Sequence, residues 1–517
     1  MMKSGKTLLL LTIIVCLSFF AVAKPQIAGA IDVKTKSLEG TENADGLTDK
    51  QLAIQRWFAY LTHLNPGGEE GWEGWYHDKA QLGLDSYRYS LAFMGYAAGA
   101  MAYKTPAYTE VSAKILDDSI RKMIEKRVWD FIKVYWKDEP TFPDPVVWEN
   151  IMYSGHLMQL IALYESITGD MKYSTEGWDF VWDDKTVIHY TAEKLMQVVY
   201  DQVDQDERGG VPCEPDSIFV ICNDHPHNAF VLYDAIHGTN FTALDEKWRG
   251  WMEKEAPLPR VKGKDYLKIS YLRDKETWTT GFGVPGSDGW ALAWMYQWTA
   301  NPKFVCDGWK VMRDNKLWKK AKTGGAYLKA TSFAQMFGVD DASGTSFYPI
   351  VEAQCHKEGV SRNNDVYAYY ENQYGAFVDL DGDGLNESYY YDAEHKNRLW
   401  VTANLVTAMV TKGDSLREMY RKPFFKERDG EPFLAHADYP NVWVKMAEFS
   451  KKENKLSFTV VKGSAKLDGE TELICGNIRN VKSITRNGAT LDNYKLESGE
   501  LRITTGVDGE TNFVVSM

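Results

Sequence analysis

The sequence predicts a mainly α fold, a closed α/α toroid of the (α/α)6 type, followed by a small C-terminal antiparallel β-domain. Three observations carry that prediction. From Leu47 onward apolar residues recur at helical spacing, with Leu52, Trp57, Tyr60 and Leu61 on one face and Leu82 to Met101 continuing the pattern. A punctuation mark then repeats along the chain, and after Tyr439 the period changes to that of strands.

The elements follow in order. Lys3 and Lys6 precede an apolar run from Leu8 to Phe20 and then Ala21-Val22-Ala23, the pattern of a secretory signal peptide over residues 1–23. That run of 13 residues is too short to span ~30 Å of hydrocarbon as a helix, so it is a signal and not an anchor. No later stretch approaches 18 apolar residues, and the mature chain is expected to lack a membrane span and to be periplasmic or secreted. Residues 24–46 are polar and read as a linker.

The catalytic region is expected over residues 47–438. Thr105-Pro106-Ala107-Tyr108, Thr168-Gly169-Asp170-Met171-Lys172-Tyr173, Gly238-Thr239-Asn240-Phe241 and Asn301-Pro302-Lys303-Phe304 each close one helix and open the next. Their aromatic positions are 65, 68 and 63 residues apart. An interval of that size holds two helices and their loops, and a fixed period signals a unit whose apolar face its neighbours bury. There is room for six such hairpins. Closure is favoured over an open solenoid because Tyr153–Leu163 is apolar nearly all round, as a helix buried on every side must be. Beyond it, Val442-Trp443-Val444, Lys455–Val461, Glu472–Ile474 and Leu501–Thr505 alternate or are β-branched between glycines, which predicts a β-rich domain over residues 439–517.

Composition narrows the function. The chain has 59 Lys and Arg against 72 Asp and Glu, a net charge of −13, and no basic block, which argues against nucleic acid as the partner. Eighteen Trp, 29 Tyr and 22 Phe suit a large cavity walled with flat rings. Cys16 leaves with the signal, and the five cysteines that stay are an odd number, so at least one thiol is free.

The densest chemistry lies in Gly210-Val211-Pro212-Cys213-Glu214-Pro215-Asp216 and Phe219-Val220-Ile221-Cys222-Asn223-Asp224-His225-Pro226-His227, read as a loop entering a helix at Asn228. Its spacing matches no common zinc pattern. Two readings stand, a Cys213–Cys222 disulfide or a pair of free active-site thiols. His156, at the start of a very apolar helix, is either a satisfied core histidine or a catalytic one. The Gly- and Trp-rich stretch Asn65–Asp78 with Asp85-Ser86-Tyr87-Arg88-Tyr89 is either a mobile rim or a helix cap followed by core.

Together these residues resemble the linalool dehydratase/isomerase family. Pro212-Cys213-Glu214-Pro215 through Cys222-Asn223 to His225-Pro226, Tyr153-Ser154-Gly155-His156 and Leu84-Asp85-Ser86-Tyr87-Arg88-Tyr89 look like its landmarks, in its order, over about residues 50–435. The resemblance implies an α/α-barrel enzyme that needs no cofactor for catalysis, acts on terpene-like allylic alcohols, and often forms a ring-shaped homo-oligomer. It places Cys213, Cys222 and His156 in catalysis and Met152 one turn before the histidine. Asp85, Tyr89 and Tyr76 are its candidates for the family's acid and tyrosines, and Glu214 and Phe219 are assigned to substrate binding.

Such a reaction needs an acid near the hydroxyl, a base near the proton to be lost, and a dry wall around a cation-like transition state. His156 and one thiol would serve the hydroxyl, and the second thiol or Asp85 would serve the carbon. Two other classes stay open: an exported glycan-processing toroid, by fold analogy alone, and a non-catalytic exported binding protein with the two cysteines bridged. Finally, Asp379-Leu380-Asp381-Gly382-Asp383-Gly384 is a half-motif for Ca²⁺, with Asp379, Asp381 and Asp383 as its candidate ligands in a structural role.

Overall fold

The computed structural model describes residues 46–517, except 66–70, 73, 76–85, 148, 259–264, 280–285, 332–334, 336–339, 358–360, 393–395 and 464–468. The signal-peptide reading and the candidates Tyr76 and Asp85 lie outside the described residues. Among these residues the chain is mainly helical. The helices of seven or more residues are α1 (Asp49–Ala59), α2 (Tyr87–Ala102), α3 (Glu110–Ile124), α4 (Ile151–Thr168), α5 (Ala192–Gln205), α6 (Val220–His237) and α7 (Asp245–Glu255), then α8 (Ser287–Trp298), α9 (Pro302–Arg313), α10 (Tyr348–Cys355), α11 (Asn363–Tyr374), α12 (Leu399–Val410) and α13 (Ser415–Arg421).

They alternate in burial. The even-numbered helices are covered almost all round: every residue of α8 is buried, and α4 is buried from Ile151 to Ile167. The odd-numbered helices from α3 on bury one stripe, as α5 does with Leu195, Met196, Val199 and Val203. In space α2 packs on α4, α4 on α6, α6 on α8, α8 on α10, α10 on α12, and α12 on α2. Because each even-numbered helix starts at the same end of its hairpin, Tyr89, His156, Cys222 and Trp290 all fall within the first two turns of their helices. That shared end gathers the candidate site.

The punctuation marks have physical roles. Gly169 and Gly238 end α4 and α6 in the left-handed conformation, at φ 70° and 73°, where a Cβ would be strained. Asn301 caps α9 by accepting from the Phe304 amide, and Pro302 fills the first turn, where its missing N–H costs nothing. One expectation is corrected here. The segment expected to be a loop until Asn228 is already helical at Val220, with Pro226 inside α6.

A disulfide joins Cys306 of α9 to Cys355 of α10, while Cys213, Cys222 and Cys475 are free and buried. From Phe433 the strands form two antiparallel sheets. One runs Phe433–His436, Glu470–Gly476, Glu500–Gly506, Tyr494–Glu497; the other runs Val442–Ser450, Lys455–Lys462, Glu510–Ser516, Ser483–Arg486, Ala489–Thr490. They dock on the helices through backbone bonds such as Leu47 N to Lys445 O (2.7 Å) and Ala107 N to Ala447 O (3.0 Å). His436 reaches Glu110 at 3.1 Å and His63 reaches Tyr439 at 2.6 Å. Residues from Ala44 to the C-terminal end cluster as one unit, and among the described residues no helix is long and apolar enough to cross a membrane.

Candidate active site

The two cysteines meet because Asn223 stitches their segments together. Its side-chain amide donates to Val211 O (3.0 Å) and Phe219 O (2.8 Å), and its oxygen accepts from Val211 N (2.8 Å). The segment carrying Cys213 is thereby fixed to the first turn of α6, which brings the Cys213 and Cys222 thiols close enough to influence each other's protonation. Pro226 removes the amide that would otherwise bond to the Cys222 carbonyl one turn earlier.

Both thiols are held protonated. Burial raises the Cys213 thiol well above its ordinary value, and Cys222 and the Glu214 charge push it further; a Phe219 amide bond opposes. Burial raises Cys222 as well, while the neighbouring Cys213 thiol and the Arg88 charge favour the thiolate and Glu214 opposes it. A thiol in such surroundings is a weak nucleophile and keeps its proton to donate.

His156 faces the same end of the ring from α4. Its Nδ1 lies 2.8 Å from the Tyr96 hydroxyl, and its Nε2 is buried with no hydrogen-bond partner among the described residues. Burial, then His225 and Arg88, lower its basicity well below the usual range, so the ring is neutral. His225 packs on it at 3.9 Å between ring centroids. Tyr89 links the groups. Its hydroxyl donates to the Met152 sulfur, its ring meets His156 edge-on at 5.6 Å, and its phenol is raised by burial, against the Arg88 charge and with the Glu214 charge. Arg88 reaches the Met152 sulfur at 3.2 Å and lies 4.6 Å over the Tyr89 ring.

The wall around these groups is aromatic. Phe93 meets Trp290 at 5.4 Å, Phe347 at 5.6 Å and Trp400 at 6.1 Å, and Tyr89 meets Trp290 at 5.3 Å and Trp400 at 5.9 Å. Ring faces in a water-poor interior stabilise developing positive charge.

The structure thus gathers Cys213, Cys222, His156, Tyr89, Met152 and Glu214. Phe219, half-buried, sits at the mouth of α6 and contributes its backbone. The acidic turn lies elsewhere, in the hairpin joining Gly375–Val378 to Glu387–Asp392. There Asp379, Asp381 and Glu387 bring carboxylate oxygens within 4.8 Å of one another. Asp383 departs from its expected role: it pairs at 2.8 Å with Arg56, the same guanidinium that holds Glu387 at 2.9 Å. Burial pushes Glu387 up to about 7, against the Leu380 amide and Arg56.

The sequence profile described as linalool dehydratase/isomerase matches residues 88–380. The chain belongs to the linalool dehydratase/isomerase family. The match spans the helices that carry Tyr89, His156 and Cys222 and the segment that carries Cys213.

Solved structures similar to this member of the family are more distant. An α-1,6-mannanase, GH76A of Salegentibacter sp. HEL1_6, is 11% identical over 71% of this chain and 99% of its own, with a TM-score of 0.42. A family 105 glycoside hydrolase of C. acetobutylicum is 13% identical over 71% and 99%, with a TM-score of 0.41. An endoglucanase from Clostridium thermocellum is 10% identical over 90% and 92%, with a TM-score of 0.36. Likeness at this level says nothing about the chemistry of the dehydratase/isomerase relative.

Sequence reasoning did not single out Tyr96, Gln159 and Trp290. Two signals were present: Tyr96 stands two turns after Tyr89 on one helix face, and Gln159 is a polar residue inside a very apolar helix.

Proposed function

We propose that this chain is a cofactor-independent dehydratase/isomerase acting on terpene-like allylic alcohols. The observation that carries the reading is the pair of buried, unbridged thiols near Tyr89, whose ring meets His156, the Nε2 of which has no partner among the described residues, within an aromatic wall. Cys213 or Cys222 gives its proton to the leaving hydroxyl as the C–O bond breaks, and water departs. The sulfur left as thiolate takes a proton from the adjacent carbon, so the thiol is restored and the alkene forms. His156 and Tyr89 orient the hydroxyl, and the Phe93, Trp290 and Trp400 rings shelter the cation-like state. The raised thiols support this acid–base course over a standing covalent thiolate.

Several coarser features belong to the same proposal. The cyclic order of the even-numbered helices supports a closed α/α toroid over residues 47–438, with a β-rich unit over 439–517. The Cys306–Cys355 disulfide supports export to an oxidising compartment. A homo-oligomer is proposed on the family's habit. Ca²⁺ in a structural role is proposed at Asp379 and Asp381 with Glu387 in place of Asp383, since those oxygens converge.

The test is turnover of short allylic alcohols. Replacing the proton-carrying thiol, by Cys213→Ala or Cys222→Ala, should lower it by about 10²–10⁴-fold, the usual contribution of one proton-transfer group, and His156→Ala should lower it by removing a donor that orients the hydroxyl. Full turnover of a polysaccharide by Cys213→Ala would hand the site to glycan processing. For calcium, EDTA should lower the melting temperature through loss of binding linked to the native state; an unchanged melting curve removes the ion.

A further inference from the structure

We propose that Tyr96 and His225 are positioning residues that lock His156 with its ring proton on Nε2, so that it meets the substrate hydroxyl as a neutral hydrogen-bond donor and never as a base. The proposal rests on the dehydratase reading for the identity of the hydroxyl, but the tautomer follows from protein contacts alone.

The Tyr96 hydroxyl has two acceptors within reach, His156 Nδ1 at 2.8 Å and the His156 carbonyl at 3.5 Å. In α4 that carbonyl already faces the amide four residues on, so the closer ring nitrogen takes the phenol proton. A neutral imidazole whose Nδ1 accepts must carry its hydrogen on Nε2. That Nε2 is buried and meets no acceptor among the described residues, which leaves a donor aimed at a ligand.

His225 is locked the other way. The Trp290 indole, which only donates, lies 3.2 Å from His225 Nε2, so that nitrogen is bare. Its proton is on Nδ1 and goes to Gln159 Oε1 at 2.7 Å, and the Gln159 amide goes on to the Tyr420 hydroxyl at 2.5 Å. With both nitrogens engaged, His225 is a fixed plate. It lies 3.9 Å from the His156 ring and 5.8 Å from the Tyr96 ring at 23°, and so sets the planes of both partners of the Tyr96–His156 bond.

Burial supports the assignment by keeping both rings neutral, His225 down to about 3, and by keeping the Tyr96 phenol protonated. A neutral donor polarises the C–O bond without becoming imidazolium, as a neutral histidine does where a helix N-terminus suppresses its protonation; here burial has that effect. Taking up the carbon-bound proton then falls to sulfur.

The experiment is a ¹⁵N spectrum of the full-length protein with labelled histidine, assigned with His156→Gln and His225→Gln. His156 should show a bare Nδ1 and a protonated Nε2, and His225 the reverse. Tyr96→Phe should give His156 a mixture of tautomers, and Trp290→Phe should release His225. On an allylic alcohol, Tyr96→Phe should lower kcat about tenfold or more with KM little changed, because ground-state binding is kept. A wild-type His156 protonated at Nδ1, or one unmoved by Tyr96→Phe, overturns the proposal. The spectrum needs no substrate, so a protein that turns over no allylic alcohol still answers the tautomer question, and the wild-type spectrum decides it even where a variant fails to fold.

Discussion

His225 shows how one residue converts burial into pH dependence. Its folded value of about 3 lies below the ordinary 6.5, so the unfolded chain binds a proton that the native chain refuses. The stability from this group is complete above about pH 6.5 and is lost as the pH falls toward 3. His225→Gln removes the titration. The stability gap between wild type and His225→Gln, read by denaturant unfolding, should therefore narrow by about 2 kcal/mol between pH 7 and pH 5. A gap that stays constant would show that His225 titrates normally in the folded protein. At this scale the sequence exposed the groups with unusual neighbours and hid those that resemble core. Cys213 and Cys222 stand out in a cluster of acids and histidines and His156 in an apolar helix, whereas Tyr96 and Trp290 differ from ring-stacking residues only through one polar atom whose partner lies far along the chain.

Among the elements, α4 and α6 carry His156, His225 and Cys222 of the candidate site and touch where Gly155 faces Pro226. A Cβ at Gly155 would lie 2.8 Å from Pro226 Cδ and 3.4 Å from its nitrogen, both parts of a rigid ring. Gly155→Ala must push the helices apart, at about 1–3 kcal/mol, and separate His156 from His225 as it does so. A melting temperature and turnover equal to wild type would contradict that close approach. The start of α6 was misread for a physical reason. Pro226 looks like a helix opener, and the side chain that holds the preceding turn, Asn223, bonds to Val211, twelve residues back. The glycine and Asn-Pro marks were legible because their roles are local: a left-handed residue closes a helix and a capped first turn opens one.

Across the whole molecule, the fold serves the site by bringing the first turns of α2, α4, α6 and α8 to one end and lining them with rings. Period and composition made helices and terminal strands legible, since both are written into neighbouring residues. Pairing over long distances was not. Nothing near Cys306 says that its partner is 49 residues away, a loop whose closure contributes about 4 kcal/mol in the chain-entropy description. That pairing leaves Cys213, Cys222 and Cys475 unbridged. The measurement that bears most directly on thiol chemistry is therefore disulfide mapping by mass spectrometry on active protein kept non-reduced throughout. The predicted result is a Cys306–Cys355 cross-link with Cys213 and Cys222 recovered as separate thiols, alkylated only after denaturation because both are buried and protonated. A Cys213–Cys222 cross-link in protein that still turns over its substrate would contradict it.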